Sequence, residues 1–187
     1  MNISQITFYT ALITGIILVI GIIIDLKNQK INLWPITEAS LFGIIELTIW
    51  HVFYIATVVF AILTAIPLIE FSIINWVGLI LFIIGFCFSI WAIIELNIKE
   101  SYGVKGEFCS TGPYKYCRNP QSTGIIIHFL GAVLFTYSVL MIILTLIHMI
   151  LLILLVFAEE PWLHEKYGQD YLEYKEQVPY RFIPYIY

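Results

Sequence analysis

Charged side chains are scarce in this chain. They make up 12% of its 187 residues, while 60% of the residues are hydrophobic; a soluble domain usually carries about 25% charged residues. A soluble fold of this length needs far less apolar sequence to fill its core, so the excess apolar surface must contact something other than water. The shortage of charge predicts one integral membrane domain spanning residues 1–187.

Basic residues and cysteines are also few. Nine lysines and arginines against thirteen acidic residues give a net charge of -4. No basic patch is dense enough to neutralise a run of phosphates, which argues against nucleic acid as a partner. Cys87, Cys109 and Cys117 have no CxxC spacing or paired pattern, so we expect no disulfide framework and no metal site. The GxGxxG and P-loop fingerprints are absent, so a nucleotide site would not be of the Rossmann type.

Long apolar runs are the main feature that is present. A bilayer core of about 30 Å requires about 20 apolar residues in a helix, and spans are predicted at residues 3–24, 38–66 and 71–94. The first run lacks a basic leader and a cleavage site, so we interpret it as a retained span. Residues 125–158 would measure about 50 Å as one helix. They are therefore predicted to form a hairpin of two short helices with its break near residues 137–138.

The loops between these runs indicate the orientation. Positive charge falls in a first loop, in residues 95–121 and in the C-terminal tail: Lys27, Lys30, Lys99, Lys105, Lys115, Arg118, Lys166, Lys175 and Arg181. Cytoplasmic loops are enriched in lysine and arginine. We therefore predict about five transmembrane helices, with the N-terminus outside and the basic loop and C-terminus in the cytoplasm.

The tail has a different pattern. Between residues 159 and 178, apolar side chains recur at three- and four-residue steps among charged ones, which predicts a cytoplasmic amphipathic helix with Gly168 as a possible interruption. The aromatic, proline-rich residues 178–187 are expected to be packed. The predicted class is all-α and polytopic. Residues 1–98 hold three spans, and residues 99–187 hold a polar loop, the hairpin and the C-terminal segment.

Groups that could perform chemistry cluster in those segments. The two arginines, Arg118 and Arg181, lie there, as do Glu159 and Glu160 at the end of the last apolar run. Adjacent carboxylates beside a basic loop could balance a bound cation, although solvated charges at a helix end would have the same pattern. His128 and His148, inside the hairpin, are interpreted as neutral core histidines.

Two motifs carry a resemblance. GEFCSTGPYKYCRNPQSTG (106–124) and, after the hairpin, EEPWLHEKYGQDYLEYKEQVPYRFIP (159–184) resemble the carboxy-terminal half of the isoprenylcysteine carboxyl methyltransferases and their phospholipid methyltransferase relatives. The resemblance implies S-adenosylmethionine as methyl donor, with S-adenosylhomocysteine as product. It also implies a lipid-bearing substrate that enters from the bilayer. The implied cofactor-binding residues are Lys99, Gly106, Glu107, Phe108, Cys109, Tyr114, Asn119, Pro120, Gln121, Ser122 and Glu159.

The methyl acceptor is open between two alternatives. The favoured reaction is carboxyl O-methylation of a prenylated cysteine, in which Arg118 or Arg181 would hold the carboxylate. N-methylation of phosphatidylethanolamine is the alternative and requires a base, for which Glu160 or Glu159 is the candidate. Three positions depart from the family pattern: Asn119 replaces a histidine, Ser122 a tyrosine, and Leu155 an arginine of the prenylcysteine enzymes.

A second resemblance concerns only the end of the chain. Residues 166–187 are similar to the C-terminus of membrane sterol reductases, which bind NADPH. Those proteins have about twice as many spans and continue their arginine with a different motif. A reductase is therefore the less favoured function.

Overall fold

The chain folds into helices throughout its described part. A computed structural model describes residues 1–27, 41–67, 72–97 and 108–183. Within these ranges it contains no β-strand, and its elements are α1 (Ile3–Lys27), α2 (Leu41–Ala65), α3 (Ile73–Leu96), a 3₁₀ helix (Gly112–Lys115), α4 (Pro120–Thr136), α5 (Val139–Tyr167) and α6 (Gln169–Gln177). The predicted all-α class is confirmed.

Four of these helices can cross a membrane by their length and composition: α1, α2 (from Gly43), α3 and α5. Their outer faces carry large exposed apolar side chains, such as Ile13, Ile55 and Ile80, as contact with acyl chains requires. The fifth apolar helix, α4, has 17 residues and a length of about 25 Å. It is therefore shorter than the bilayer core, as predicted for a helix of the hairpin.

The break in the last apolar run lies where it was predicted. Helix α4 ends at Thr136, Tyr137 adopts a left-handed conformation with φ 53°, and α5 begins at Val139. The prediction that both hairpin helices are short is wrong for α5, which has 29 residues and includes Pro161. The charges at residues 159–160 do not end the helix, which continues through Pro161 to Tyr167.

The amphipathic helix therefore does not begin at Glu159, and the predicted interruption at Gly168 separates two helices. Gly168 has φ 56° and ψ -122°, a combination that is accessible essentially only to glycine. The short α6 that follows buries Tyr171 and Tyr174. The chain thus turns at Gly168 and lays two aromatic rings against the rest of the protein.

Four glycines allow the backbones of α3 and α4 to approach closely. Gly78 and Gly85 of α3 face Gly131 and Gly124 of α4, and a Cβ atom on any of them would overlap the backbone of the opposite helix. Asn75 adds hydrogen bonds from its Nδ2 to the carbonyl oxygens at the end of α4, at 2.9 Å for Phe135. Close backbone approach of this kind stabilises helix pairs in membranes, where no hydrophobic effect drives association.

Helices α1, α2 and α5 pack through apolar side chains instead. Their shared core includes Phe8, Ala11, Phe53 and Leu151. His148 is buried in it, with its ring centroid 3.7 Å from that of Phe53. This packing places the start of α2 and the C-terminal half of α5 beside the loop that begins at residue 108.

Candidate active site

A cleft opens where the ends of α3 and α5 meet the 108–119 loop, the start of α4 and α6. Its unfilled space is about 1140 Å³, including the part at its open mouth. One side is aromatic and polar, and the other is apolar and formed by spans. The walls are Leu47, Trp50, Leu96, Phe108, Cys109, Tyr114, Arg118, Asn119, Gln121, Ser122, Ile125, Leu152, Leu155, Val156, Glu159, Trp162, Leu163, Lys166, Tyr167, Tyr171 and Tyr174.

Glu95, at the end of α3, anchors the loop that forms one wall. Its carboxylate accepts a hydrogen bond from the Thr111 hydroxyl at 2.5 Å, and its carbonyl oxygen lies 3.7 Å from the Cys109 thiol. Gly112 follows with φ 55°, and a Cβ atom there would overlap the Glu95 side chain. The loop therefore turns tightly around Glu95, which our sequence analysis did not identify as a site residue.

Aromatic rings form the floor of the cleft. The Phe108 ring centroid lies 5.1 Å from that of Tyr167 and 5.2 Å from that of Tyr174. The Tyr174 hydroxyl donates a hydrogen bond of 2.7 Å to the carbonyl oxygen of Tyr114. Helix α6 is thereby fixed to the 3₁₀ helix, 60 residues earlier in the chain.

Three buried tyrosine side chains of the cleft stay neutral. Burial raises the pKa of Tyr171 to about 12 and also raises the pKa of Tyr114 and of Tyr174. At physiological pH the three side chains therefore serve as ring surfaces and hydrogen-bond donors, and they do not act as bases.

The tail runs beside the loop and the start of α4. The backbone N–H of Arg118 donates to the carbonyl of Tyr180 at 2.9 Å, and that of Asn119 donates to the carbonyl of Arg181 at 3.0 Å. The Thr123 hydroxyl donates to the carbonyl of Phe182 at 2.8 Å. The tail contacts the rest of the protein as far as Phe182, whereas Ile183 is exposed. Residues 184–187 lie outside the described ranges.

Both arginines bind Glu160. Its carboxylate is 2.8 Å from Nη2 of Arg118 and 2.9 Å from Nη2 of Arg181. Arg118 Nη1 also donates to the carbonyl oxygens of Val178 and Pro179. The three charged side chains are largely buried, with 5%, 15% and 18% exposure for Arg118, Glu160 and Arg181. They form a clasp, which we define as Arg118, Glu160 and Arg181.

The adjacent glutamates of α5 point in different directions, since successive helical residues are about 100° apart. Glu159 lines the cleft, whereas Glu160 faces the clasp. Of the residues expected to perform catalysis, Arg118 also lines the cleft, while Arg181 and Glu160 are not among its walls.

Most of the described residues expected to bind the cofactor also line the cleft. They are Phe108, Cys109, Tyr114, Asn119, Gln121, Ser122 and Glu159. Pro120 is buried in the first turn of α4. Lys99, Gly106 and Glu107 lie outside the described residues. The roles of all these residues stay predictions.

Apart from Glu159, the sequence motifs did not indicate the wall that α5 contributes. Eight residues of this helix line the cleft, most of them at three- and four-residue steps: 152, 155, 156, 159, 162, 163, 166 and 167. Lys166 lies over the Trp162 ring, with Nζ 4.2 Å from the centroid. Extending the helical period of the span beyond Glu159 would have identified this face.

The comparisons with known proteins agree with the motifs. The family model for phospholipid methyltransferase matches residues 73–170, more than half of the chain, from the start of α3 into α6. No curated protein and no solved structure matches the chain. The matched region contains the loop from residue 108, both hairpin helices and the paired glutamates. This chain belongs to the phospholipid methyltransferase family.

Proposed function

We propose that this protein is an S-adenosylmethionine-dependent methyltransferase that methylates the amine of a membrane phospholipid. The observation that carries the proposal is the two-sided cleft. Its aromatic and polar side suits a nucleoside, while Leu47, Leu152 and Leu155 form an apolar side among the spans. Family membership supports the methyl transfer and the lipid substrate.

The residues on the polar side fit the cofactor chemically. Phe108 and Tyr167 offer rings for adenine stacking or for a sulfonium cation. Asn119 and Gln121 offer neutral hydrogen-bonding groups, and the negative charge of Glu159 in the wall attracts the positively charged cofactor. When bound, the cofactor supplies a methyl group activated by positive charge on sulfur. The chain's own contribution is orientation and electrostatic stabilisation.

The charge arrangement favours an amine over a carboxylate as acceptor. A carboxylate acceptor needs a cation, and both arginines direct their charge to Glu160. Lys166, which also lines the cleft, lies over the Trp162 ring. Glu159, in contrast, brings a negative charge to the cleft wall. A lipid ammonium group is attracted there and must lose a proton before it can act as a nucleophile.

We assign the proton acceptor to Glu159 rather than Glu160. Two guanidinium groups stabilise the Glu160 carboxylate as an anion, which makes it a weak base. In this proposal the clasp positions the tail and loop, and its members do not touch the acceptor. The hydrogen bonds of Arg118 to the tail carbonyls support this role.

Carboxyl O-methylation of a prenylated cysteine is the second candidate. Its support is that Arg118 lines the cleft and that the sequence motifs resemble those of prenylcysteine enzymes. A reductase has weaker support, because its resemblance is confined to the end of the chain, whereas the methyltransferase family model covers residues 73–170.

One assay separates these functions. Purified protein in mixed micelles receives methyl-labelled S-adenosylmethionine with either phosphatidylethanolamine or a farnesylated cysteine analogue, and NADPH is tested separately for a shift in melting temperature. We expect label in the phospholipid alone. Label in the cysteine analogue alone would establish the second candidate. Stabilisation by NADPH but not by S-adenosylhomocysteine would indicate a reductase.

We also propose that the N-terminus lies outside and the cleft and C-terminus lie in the cytoplasm. Lys115 and Lys175 are exposed beside the cleft. Changed singly to cysteine in a Cys87→Ala background, they should react with an impermeant maleimide only in inside-out vesicles. Reaction of either cysteine in sealed right-side-out vesicles would reverse the orientation.

A further inference from the structure

A second, smaller cavity lies between α1, α2 and α5. Its walls are Leu18, Ile22, Glu46, Leu47, Trp50, Leu151 and Leu155. Leu47, Trp50 and Leu155 also line the large cleft, so the two spaces adjoin. This side cavity, as we call it, therefore lies between spans on the apolar side of the cleft.

Among the described residues that form this wall, Glu46 is the one with an ionisable side chain. A carboxylate among apolar side chains within a membrane span is costly, and such groups usually face a cavity and serve a function. Asp25 of α1 is near enough to interact with it electrostatically, which makes the region more negative.

Helical geometry connects Glu46 to the cleft. Trp50 lies one turn beyond Glu46 on α2 and lines both spaces. On α5, Leu155 lines both spaces, and Glu159 lies one turn further along. A cationic group bound next to Glu46 would therefore lie beside the apolar wall of the cleft. From there the lining residues of α5 continue to Glu159.

We propose that Glu46 binds the ammonium group of the lipid acceptor as the lipid enters the cleft from the bilayer, and so selects lipids that carry an N–H group. This inference rests on the proposed function and adds a specificity residue to it. A primary, monomethyl or dimethyl ammonium group can donate a charge-assisted N–H···O hydrogen bond to the carboxylate. A trimethylammonium group has no N–H, so the fully methylated product is bound less tightly and leaves.

The test measures binding separately from turnover. Fluorescent phosphatidylethanolamine and phosphatidylcholine are titrated into wild-type protein and Glu46→Gln in detergent. Because hydrogen bonds to charged groups contribute about 1.5–3 kcal/mol, we expect Glu46→Gln to weaken phosphatidylethanolamine binding about tenfold or more. Phosphatidylcholine binding should fall by about threefold at most, since it loses only the longer-range attraction.

Two variants and one ligand serve as controls. Asp25→Asn removes a neighbouring charge outside the cavity wall and should leave the preference between the lipids within about twofold of wild type. Glu46→Asp retains a carboxylate and should recover part of the preference. Binding of S-adenosylhomocysteine, measured by calorimetry, should be the same in all variants. A loss of that binding in Glu46→Gln would assign Glu46 a structural role and overturn the inference.

The remaining outcomes separate this inference from the proposed function. If wild-type protein methylates phosphatidylethanolamine but Glu46→Gln binds both lipids as the wild type does, the inference fails and the function stands. If wild-type protein neither binds nor methylates phosphatidylethanolamine, the proposed function fails, and the role of Glu46 fails with it.

Discussion

The N-terminal region and the region around the cleft are stabilised by different kinds of contact. In the N-terminal region, α1 packs on α2 through apolar groups, such as the rings of Phe8 and Phe60 with centroids 5.5 Å apart. Around the cleft, residues that are far apart in sequence are joined by directed polar bonds, including Tyr174 to Tyr114 and Arg118 to Glu160. The first kind of contact accepts many apolar residues, while the second requires particular ones.

This difference explains where the family signal lies. The family match begins at residue 73 and excludes α1 and α2, whose sequences are constrained mainly to be apolar and helical. The loop and the paired glutamates, which lie inside the match, must instead meet partners of fixed geometry. A specific sequence pattern is therefore expected around the cleft and not in the first two spans, apart from polar exceptions such as Glu46.

The largest effect is expected from the clasp. Glu160→Ala leaves the guanidinium groups of Arg118 and Arg181 largely buried without their shared carboxylate, and breaking a buried ion pair costs about 3 kcal/mol or more. The tail should detach from the loop. We expect faster proteolytic cleavage after residue 168 and loss of measurable S-adenosylhomocysteine binding, followed by gel analysis and calorimetry.

The matched control is Glu165→Gln, which removes an exposed carboxylate from the same helix. It should change neither property. If Glu160→Ala retains both a protected tail and wild-type cofactor affinity, the clasp does not position the site.

The hairpin could be predicted from the sequence but the clasp could not, because the clasp joins residues that are far apart in the chain. The break near residues 137–138 follows from a length argument that needs only local composition. The bonds of Glu160 to Arg118 and Arg181 connect residues 42 and 21 positions apart, and no local pattern specifies them. The charges at 159–160 do not mark the end of the helix, which continues to Tyr167.

The glycine contacts between α3 and α4 were missed for a related reason. Within each helix the two glycines are seven residues apart, which differs from the four-residue small-xxx-small spacing that is typical of helix pairs in membranes. Their importance appears only when the helices are paired, because Gly78 faces Gly131 and Gly85 faces Gly124. Most cleft residues of the loop, in contrast, were predicted, since the motif marks them directly.

The next largest effect tests this helix pair. Gly131→Ala places a methyl group against the backbone of α3 at Phe82, and overpacking of this kind costs about 1–3 kcal/mol. We expect a corresponding loss of stability in denaturant titrations in detergent. Leu130→Ala, at a position that is 45% exposed toward the lipid side, should have a much smaller effect. Equal losses in both variants would show that close packing is not what stabilises the pair.

A smaller and more selective effect is expected at the cleft wall. Glu159→Gln removes a charge from the wall but no contact of the clasp, so we expect about tenfold weaker S-adenosylhomocysteine binding, equivalent to about 1.4 kcal/mol. The unfolding midpoint and tail protection should stay at wild-type values. Undiminished affinity in calorimetry would exclude a charge contribution of Glu159 to cofactor binding.

The smallest effect concerns a single hydrogen bond in the aromatic floor. Tyr174→Phe keeps the ring beside Phe108 but leaves the buried Tyr114 carbonyl without its 2.7 Å donor, which costs about 1 kcal/mol. Because the same bond holds the 3₁₀ helix against α6, cofactor affinity should fall a few-fold as well. Tyr171→Phe is the matched control: it removes a hydroxyl from the same helix and from the same cluster of rings. If the two variants lose equal stability, the hydroxyl of Tyr174 contributes no more than that of Tyr171, and the polar bonds around the cleft are less selective than the comparison with the N-terminal spans requires.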